Sequence, residues 1–391
     1  MNRRLRYITM AAAGALAATA SLAAAGLPTA AAAQRPGAGG YTVRQILSGS
    51  RLHHWYVPAG GGARKREPLS LPDDITRLGG DLFTAFQNGV GPQGEPSADG
   101  NTDSTVVELT PAGRPVRQWD IHGKCDGLTA QPSAHRVIAT VNEDAHSSIY
   151  TIAPGAPAGQ QVVHYRYGRP LPSRGGTDAI SVYHGQVLVS ASAPGTTGKP
   201  APQPGYPAVY RVTFDRGQHV ARARGLFSDE ATARLANLHG FGQPVRLGLT
   251  DPDSNEIVPA LSQRFGGDFM LTSQGDKEQI YLRAPGTPGP RLQVLRLSQS
   301  VDDTAWAASS RGRLYATDNG AGTVDMVTGR FTPGTVFEAV TPCDADGAPA
   351  TCPAPGYPAN YLGVQDPWTG HIVRAAVRGP AMHPQGMIFV R

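Results

Sequence analysis

Charge is scarce in this chain. Lys, Arg, Asp and Glu make up 17% of 391 residues, aromatic residues 7%, and cysteine appears three times. Helical periodicity is scarce too: only Asp229 to Leu238 reads as a helix of any length. After residue 33 no stretch is apolar enough to span a bilayer, so no membrane span is expected beyond that point. The nucleophile elbow of serine hydrolases, the zinc-protease helix motif and the phosphate-binding loop are all missing, which excludes those families. A literal dinucleotide fingerprint, Gly89 to Gly94, is followed by Pro, Ser, Asp and Asn, with no helix to direct at a pyrophosphate. It reads as a loop.

What the chain has at its start is an export pattern. Arg3, Arg4 and Arg6 precede an uncharged Ala-rich stretch from Ile8 to Ala33, which ends in three small residues. This predicts a signal peptide over residues 1–33, cleavage before Gln34 and a secreted, extracellular product. No Cys near that point supports a lipid anchor, and the Arg pair lacks the surroundings of a twin-arginine signal. The signal carries three of the 35 basic residues, leaving 32 against 30 acidic ones. A mature chain with a net charge near +2 has no footprint for nucleic acid.

The remaining 358 residues are rich in Gly (48 in the whole chain) and Pro (34), which suits many short strands joined by tight turns. Cys343 and Cys352 flank a short Asp/Gly/Pro-rich loop and are expected to pair in an oxidising compartment. Cys125, at the start of an apolar strand, then reads as an inert buried thiol.

A degenerate unit recurs: an acidic or amide residue, a short apolar strand, a turn, then a second strand. It runs through residues 73–88, 126–142, 178–192, 255–274 and 303–318, with a truncated sixth copy at 385–390. Starting points lie 53, 52, 77, 48 and 82 residues apart, so two intervals carry insertions. Further strands with period-two alternation follow most copies. Four strands in about fifty residues describe one propeller blade, and blades must close into a ring to protect their ends. The reading is therefore a single all-β domain, residues 34–391, folded as a six-bladed β-propeller; seven blades are the alternative. Outer strands for the last copy are expected from the N-terminal segments 41–47 and 52–57.

In such a ring the innermost strands line a channel. Asp73, Asp126, Asp178, Asn255, Asp303 and Gln385 share one place in the repeat, two residues before an inward apolar residue. They predict a ring of oxygens at one channel mouth, with Asp74, Glu256 and Asp302 as the neighbours onto which the register can slip. Converging carboxylates either hold a hard cation, Ca2+ or Mg2+, or take up protons. Alternatively the acids cap turns and bond backbone amides. The same two readings apply to the turns Asp99-Asn101-Asp103 and Asp251-Asp253-Asn255. Five histidines (His135, His146, His164, His184, His383) have no spacing that singles one out.

The strand starts and the segments 136–142 (RVIATVN) and 313–318 (RLYATD) resemble the inner strands of gluconolactonase-like propellers, a superfamily that includes regucalcin and NHL-repeat proteins. That resemblance implies one divalent cation at the mouth, with Asp126 and Asp303 matching Asp ligands and Asn142 or Asn255 an Asn ligand. Asp73 and Asp74 stand where the family has Glu. Two functions follow. One is a binding module for a small molecule, glycan or extracellular protein, favoured by long insertions at 89–104 and 193–208. The other is a metal-assisted lactonase or esterase-type hydrolase in which Asp126 and Asp303 serve as ligand or base.

Overall fold

The computed structural model describes residues 40–172, 175–192, 205–285, 291–349, 352–354 and 358–391. The export segment, and residues 193–204 of the second insertion, lie outside the described residues. The rest of the domain is all-β, and its strands build a β-propeller. Among the described residues they include six sets of four antiparallel strands, of which the first four sets run as consecutive meanders.

In the first unit, Pro72–Leu78 is innermost and Asp81–Phe86, Asp103–Leu109 and Pro115–His122 follow outward. Solvent exposure explains the pattern of each. The second strand is buried on both faces and reads as an unbroken apolar run, Leu82-Phe83-Thr84-Ala85-Phe86. The outermost strand alternates, with Trp119 and Ile121 inward and Gln118 and Asp120 outward. The second and third units share a sheet because their outer edges pair in parallel at Arg166–Val220 and Tyr167–Ala221.

Three sequence expectations need correction. The segment expected as a helix, 229–238, holds the strand Thr232–Leu235, which pairs with Pro244–Arg246 and in parallel with Arg291–Arg296. Ala233 lies against the core, so tertiary pairing of an edge overrides local propensity. Next, 303–318 is not one hairpin. Val301–Trp306 is the inner strand of the fifth unit and pairs with Val336–Val340, whereas Arg313–Asp318 crosses into the sixth and pairs with Pro384–Val390. The two last units are thus interleaved along the chain. Finally, only one N-terminal segment completes the sixth unit. Tyr41–Ser48 pairs with Thr323–Thr328, while His53–Tyr56 forms a separate hairpin with Lys65–Pro68.

The six inner strands pack side by side and the sixth returns to the first. Side-chain hydrogen bonds cross every junction. Asp74 Oδ2 accepts the Leu128 amide at 2.6 Å and Thr76 Oγ1 the Ala130 amide at 3.0 Å, joining units one and two. Thr140 Oγ1 donates to the Asp178 carbonyl, and Asn255 Nδ2 donates to the Ala179 carbonyl at 2.7 Å. Gln279 Nε2 donates to Glu338 Oε1 at 3.2 Å between units four and five. Asp303 Oδ2 accepts the Met387 amide at 2.5 Å, and Thr317 Oγ1 donates to the Asp73 carbonyl, closing the circle. Gly127 is required at one such junction: a Cβ there would lie 2.5 Å from the Asp178 carbonyl oxygen.

The Cys343–Cys352 disulfide is formed, and Cys125 is free and buried. The residues of the literal dinucleotide fingerprint lie in turns, as their composition indicates. Among the described residues no helix is long and apolar enough to cross a membrane.

Candidate functional site at the channel mouth

The start of the inner strand is bulged in five of the six units, and strand pairing fixes which residues are equivalent. Pro72 pairs with Phe86 and Ile75 with Thr84; Pro252 pairs with Ser273 and Asn255 with Leu271; Val301 pairs with Val340 and Thr304 with Glu338. Two residues are accommodated between paired positions each time. The first of the two is Asp73, Asp126, Asp253, Asp302 and Gln385 in units one, two, four, five and six. Asp178 holds the same place in unit three, two residues before Ile180.

The oxygen ring therefore exists with a shifted register. Asp253 takes the place expected for Asn255, and Asp302 that expected for Asp303. A repeating signal marks it in the sequence: Pro precedes the ring residue at Pro72-Asp73, Pro252-Asp253 and Pro384-Gln385.

Asp73, Asp126, Asp178, Asp253 and Asp302 line one cavity of about 310 Å³. Asp74, Glu256 and Asp303 line the same cavity. Gln385 is outside its lining, and its Oε1 accepts a hydrogen bond from Asn360 at 3.2 Å. Asn255 lines the cavity, but its amide is spent on the neighbouring unit, bonding Ala179 O and Ser181 Oγ. Asp303 accepts the amides of Thr304 (2.7 Å) and Met387 (2.5 Å). Both residues act as junction staples. Asn142, implied as a ligand by resemblance, instead accepts the Lys124 amide at Oδ1, 3.0 Å away.

That contact positions a residue that sequence reasoning missed. Lys124 Nζ lies 2.8 Å from Asp126 Oδ1 and forms a second ion pair with Glu143. Burial disfavours its charge, but Asp126, Glu143 and Asp73 outweigh burial and hold its pKa above the usual lysine value. Asp126 is only 4% exposed. Its Oδ1 also accepts from Gln87 Nε2 at 3.1 Å, and its Oδ2 is buried with no partner. Asp302 Oδ2 is likewise without one.

Crowding is visible in the proton affinities. Burial pushes Asp73, Asp126, Asp178 and Asp253 well above the usual carboxylate range, and repulsion among the acids adds to it. Lys124 opposes the rise at Asp73, Asp126 and Asp178. Asp302 is pushed up to about 8 and Asp303 to about 7, again mainly by burial. Among the described residues, however, no three His, Cys, Asp or Glu side chains converge closely enough for one metal ion. Four of the six residues expected as ligands (Asp126, Asn255, Asp303, Gln385) have other partners.

At the Asp99-Asn101-Asp103 turn, one of the two for which calcium and turn chemistry were alternatives, turn hydrogen bonds are present. Asn101 Oδ1 accepts the Asp103 amide at 3.0 Å, and its Nδ2 donates to the Asp103 carbonyl at 2.9 Å.

These features define a β-propeller with a carboxylate-ringed channel mouth. Comparison with known proteins finds similar solved structures. No protein-family model matches the sequence, and no curated protein matches it. The chain is similar to the periplasmic gluconolactonase PpgL of Pseudomonas aeruginosa (13% identity, 90% of this chain and 99% of that one, TM-score 0.45). It is also similar to a putative gluconolactonase (8% identity, 89% and 84%, TM-score 0.43). A third likeness is to hydrazine synthase of Kuenenia stuttgartiensis, at 12% identity and TM-score 0.40, covering 76% of this chain and 63% of that one. Identities and scores this low carry no argument about chemistry; the fold stands on the strand pairing above.

Proposed function

We propose that this protein is a secreted binding protein whose channel mouth takes a small ligand bearing positive charge. One observation carries the reading: five aspartates from five different blade units line one cavity, in whose wall Arg77 also lies, and Lys124 pairs with one of them, Asp126. Such a group repels itself unless it gains positive charge or protons, so a cationic ligand gains from both attraction and relief of repulsion. Asp126 and Asp302 each offer a free oxygen. The Cys343–Cys352 disulfide suits the oxidising compartment to which the export pattern directs the chain.

Calorimetric titration of the purified protein with Ca2+, Mg2+ and 1,4-diaminobutane tests this. Binding of at least one cation is expected, weakened tenfold or more in Asp126→Asn. Absence of heat with all three probes overturns the reading.

A second reading, hydrolysis of a lactone or related ester, is favoured by the proton affinities of Asp302 and Asp303, about 8 and about 7 in the same cavity. A carboxylate titrating near neutrality is suited to take a proton from attacking water. Asp302, with its free Oδ2, is better placed than Asp303, whose two oxygens accept main-chain amides. A lactone and ester panel with wild type and Asp302→Asn tests it: turnover abolished in the variant supports hydrolysis, and an inert wild type removes it.

A further inference from the structure

The cation-binding reading leaves open what kind of cation the mouth accepts, and Lys124 bears on that directly. We propose that Lys124 is the specificity-determining residue of the mouth: its ammonium bars a divalent ion and leaves a site for a protonated amine. The inference rests on the cation-binding reading and deepens it.

Three observations carry it. First, the ammonium of Lys124 sits between Asp126, 2.8 Å away, and Glu143, so the chain itself shows how these carboxylates hold an amine. Second, the lysine is fixed there. The Lys124 amide donates to Asn142 Oδ1 at 3.0 Å and its carbonyl accepts the Asn142 amide at 2.7 Å. Gln87 Nε2 donates to the same Asp126 oxygen, Oδ1, at 3.1 Å. Third, Asp126 Oδ2 remains buried in the cavity wall without a partner, an acceptor for a second donor beside the lysine.

An ammonium needs two or three oxygens at hydrogen-bond distance, whereas Ca2+ needs six or more packed around it. Among the described residues no group of three or more His, Cys, Asp or Glu is placed to hold one metal ion, and the Lys124 ammonium already occupies the space between Asp126 and Glu143. Repulsion from the fixed ammonium is twice as large for a divalent ion as for a monovalent one at equal distance. Loss of the lysine charge frees Asp126 and Glu143 together and removes that repulsion.

The test is a gain of function. Calorimetry with Ca2+ and with 1,4-diaminobutane is run on wild type, Lys124→Gln and Lys124→Arg, each checked for an unchanged circular dichroism spectrum and cooperative melting. Lys124→Gln is expected to bind Ca2+ at least tenfold more tightly than wild type. Lys124→Arg, which keeps the charge, is expected to retain the wild-type preference for the diamine. Wild type binding a cation while Lys124→Gln shows no gain for Ca2+ overturns this inference alone. Lack of binding by every form to both probes overturns the cation-binding reading with it. If Lys124→Gln fails to melt cooperatively, Lys124→Arg decides: a Ca2+ preference in that charged variant overturns the proposal, and a diamine preference supports it.

Discussion

Asp303 Oδ2 accepts the main-chain N–H of Met387 at 2.5 Å, across the junction between the fifth and sixth units. The same carboxylate takes the Thr304 amide on its other oxygen. Asp74 repeats the arrangement with Leu128 and Ile75 at the junction of the first and second units. Two aspartates that look like site residues by position are therefore structural, one residue beyond the ring that faces the cavity.

A contrast in stability between neighbours follows. Asp303→Ala strands two buried amides and is expected to cost about 2–4 kcal/mol. Asp302→Asn removes charge from a self-repelling group and is expected to change stability by less than about 1 kcal/mol, or to raise it. Urea unfolding of both variants measures this; equal losses would contradict the division of roles.

Acid should stabilise the cation-free protein over part of the pH range. Asp302 and Asp303, at about 8 and about 7 in the folded state, start from an ordinary value of 3.8. Between those limits the folded state binds more protons than the unfolded one, so stability falls as pH rises. Their contribution is fully present below pH 4 and lost as pH climbs through 7 and 8. His54, raised by Asp120 and Glu67 against the opposing effect of burial, acts in the same direction at neutral pH. Melting temperature is expected to drop from pH 5 to pH 8 in chelator-treated protein; a flat or rising profile would refute it.

Closure of the ring depends on one N-terminal strand. Tyr41 is 4% exposed and stacks on Phe331 at 5.1 Å between ring centroids, with Phe337 edge-on at 5.3 Å. Tyr41→Ala is expected to cost about 3–5 kcal/mol and to speed proteolytic release of residues 41–48. Denaturant unfolding and timed trypsin digestion report the two effects separately.

The disulfide encloses a short loop, with a sequence separation of nine. Closing so small a ring restricts the unfolded chain by about 2–3 kcal/mol. Replacing Cys343 and Cys352 together by Ser should lower stability by that amount and leave cation binding unaltered, since neither residue lines the cavity. A matching loss of affinity would tie that loop to the mouth.

The sequence alone determined the class of fold, the strand-rich composition, the disulfide pair and the presence of an acidic or amide residue at the head of each inner strand. These are local properties: alternation, turn residues and short spacing all act within a few positions of the chain. Tertiary structure decided the rest. Bulges at the strand heads moved the ring from Asn255 and Asp303 to Asp253 and Asp302, because register is set by the partner strand and not by the repeat itself. The crossing of Arg313–Asp318 into the sixth unit was hidden for the same reason, since a strand carries no mark of its neighbour. Lys124 had no signal at all. Its place among the carboxylates arises only when Asp126 and the Glu143 loop meet at the mouth, and the field they create together is a property of the closed ring.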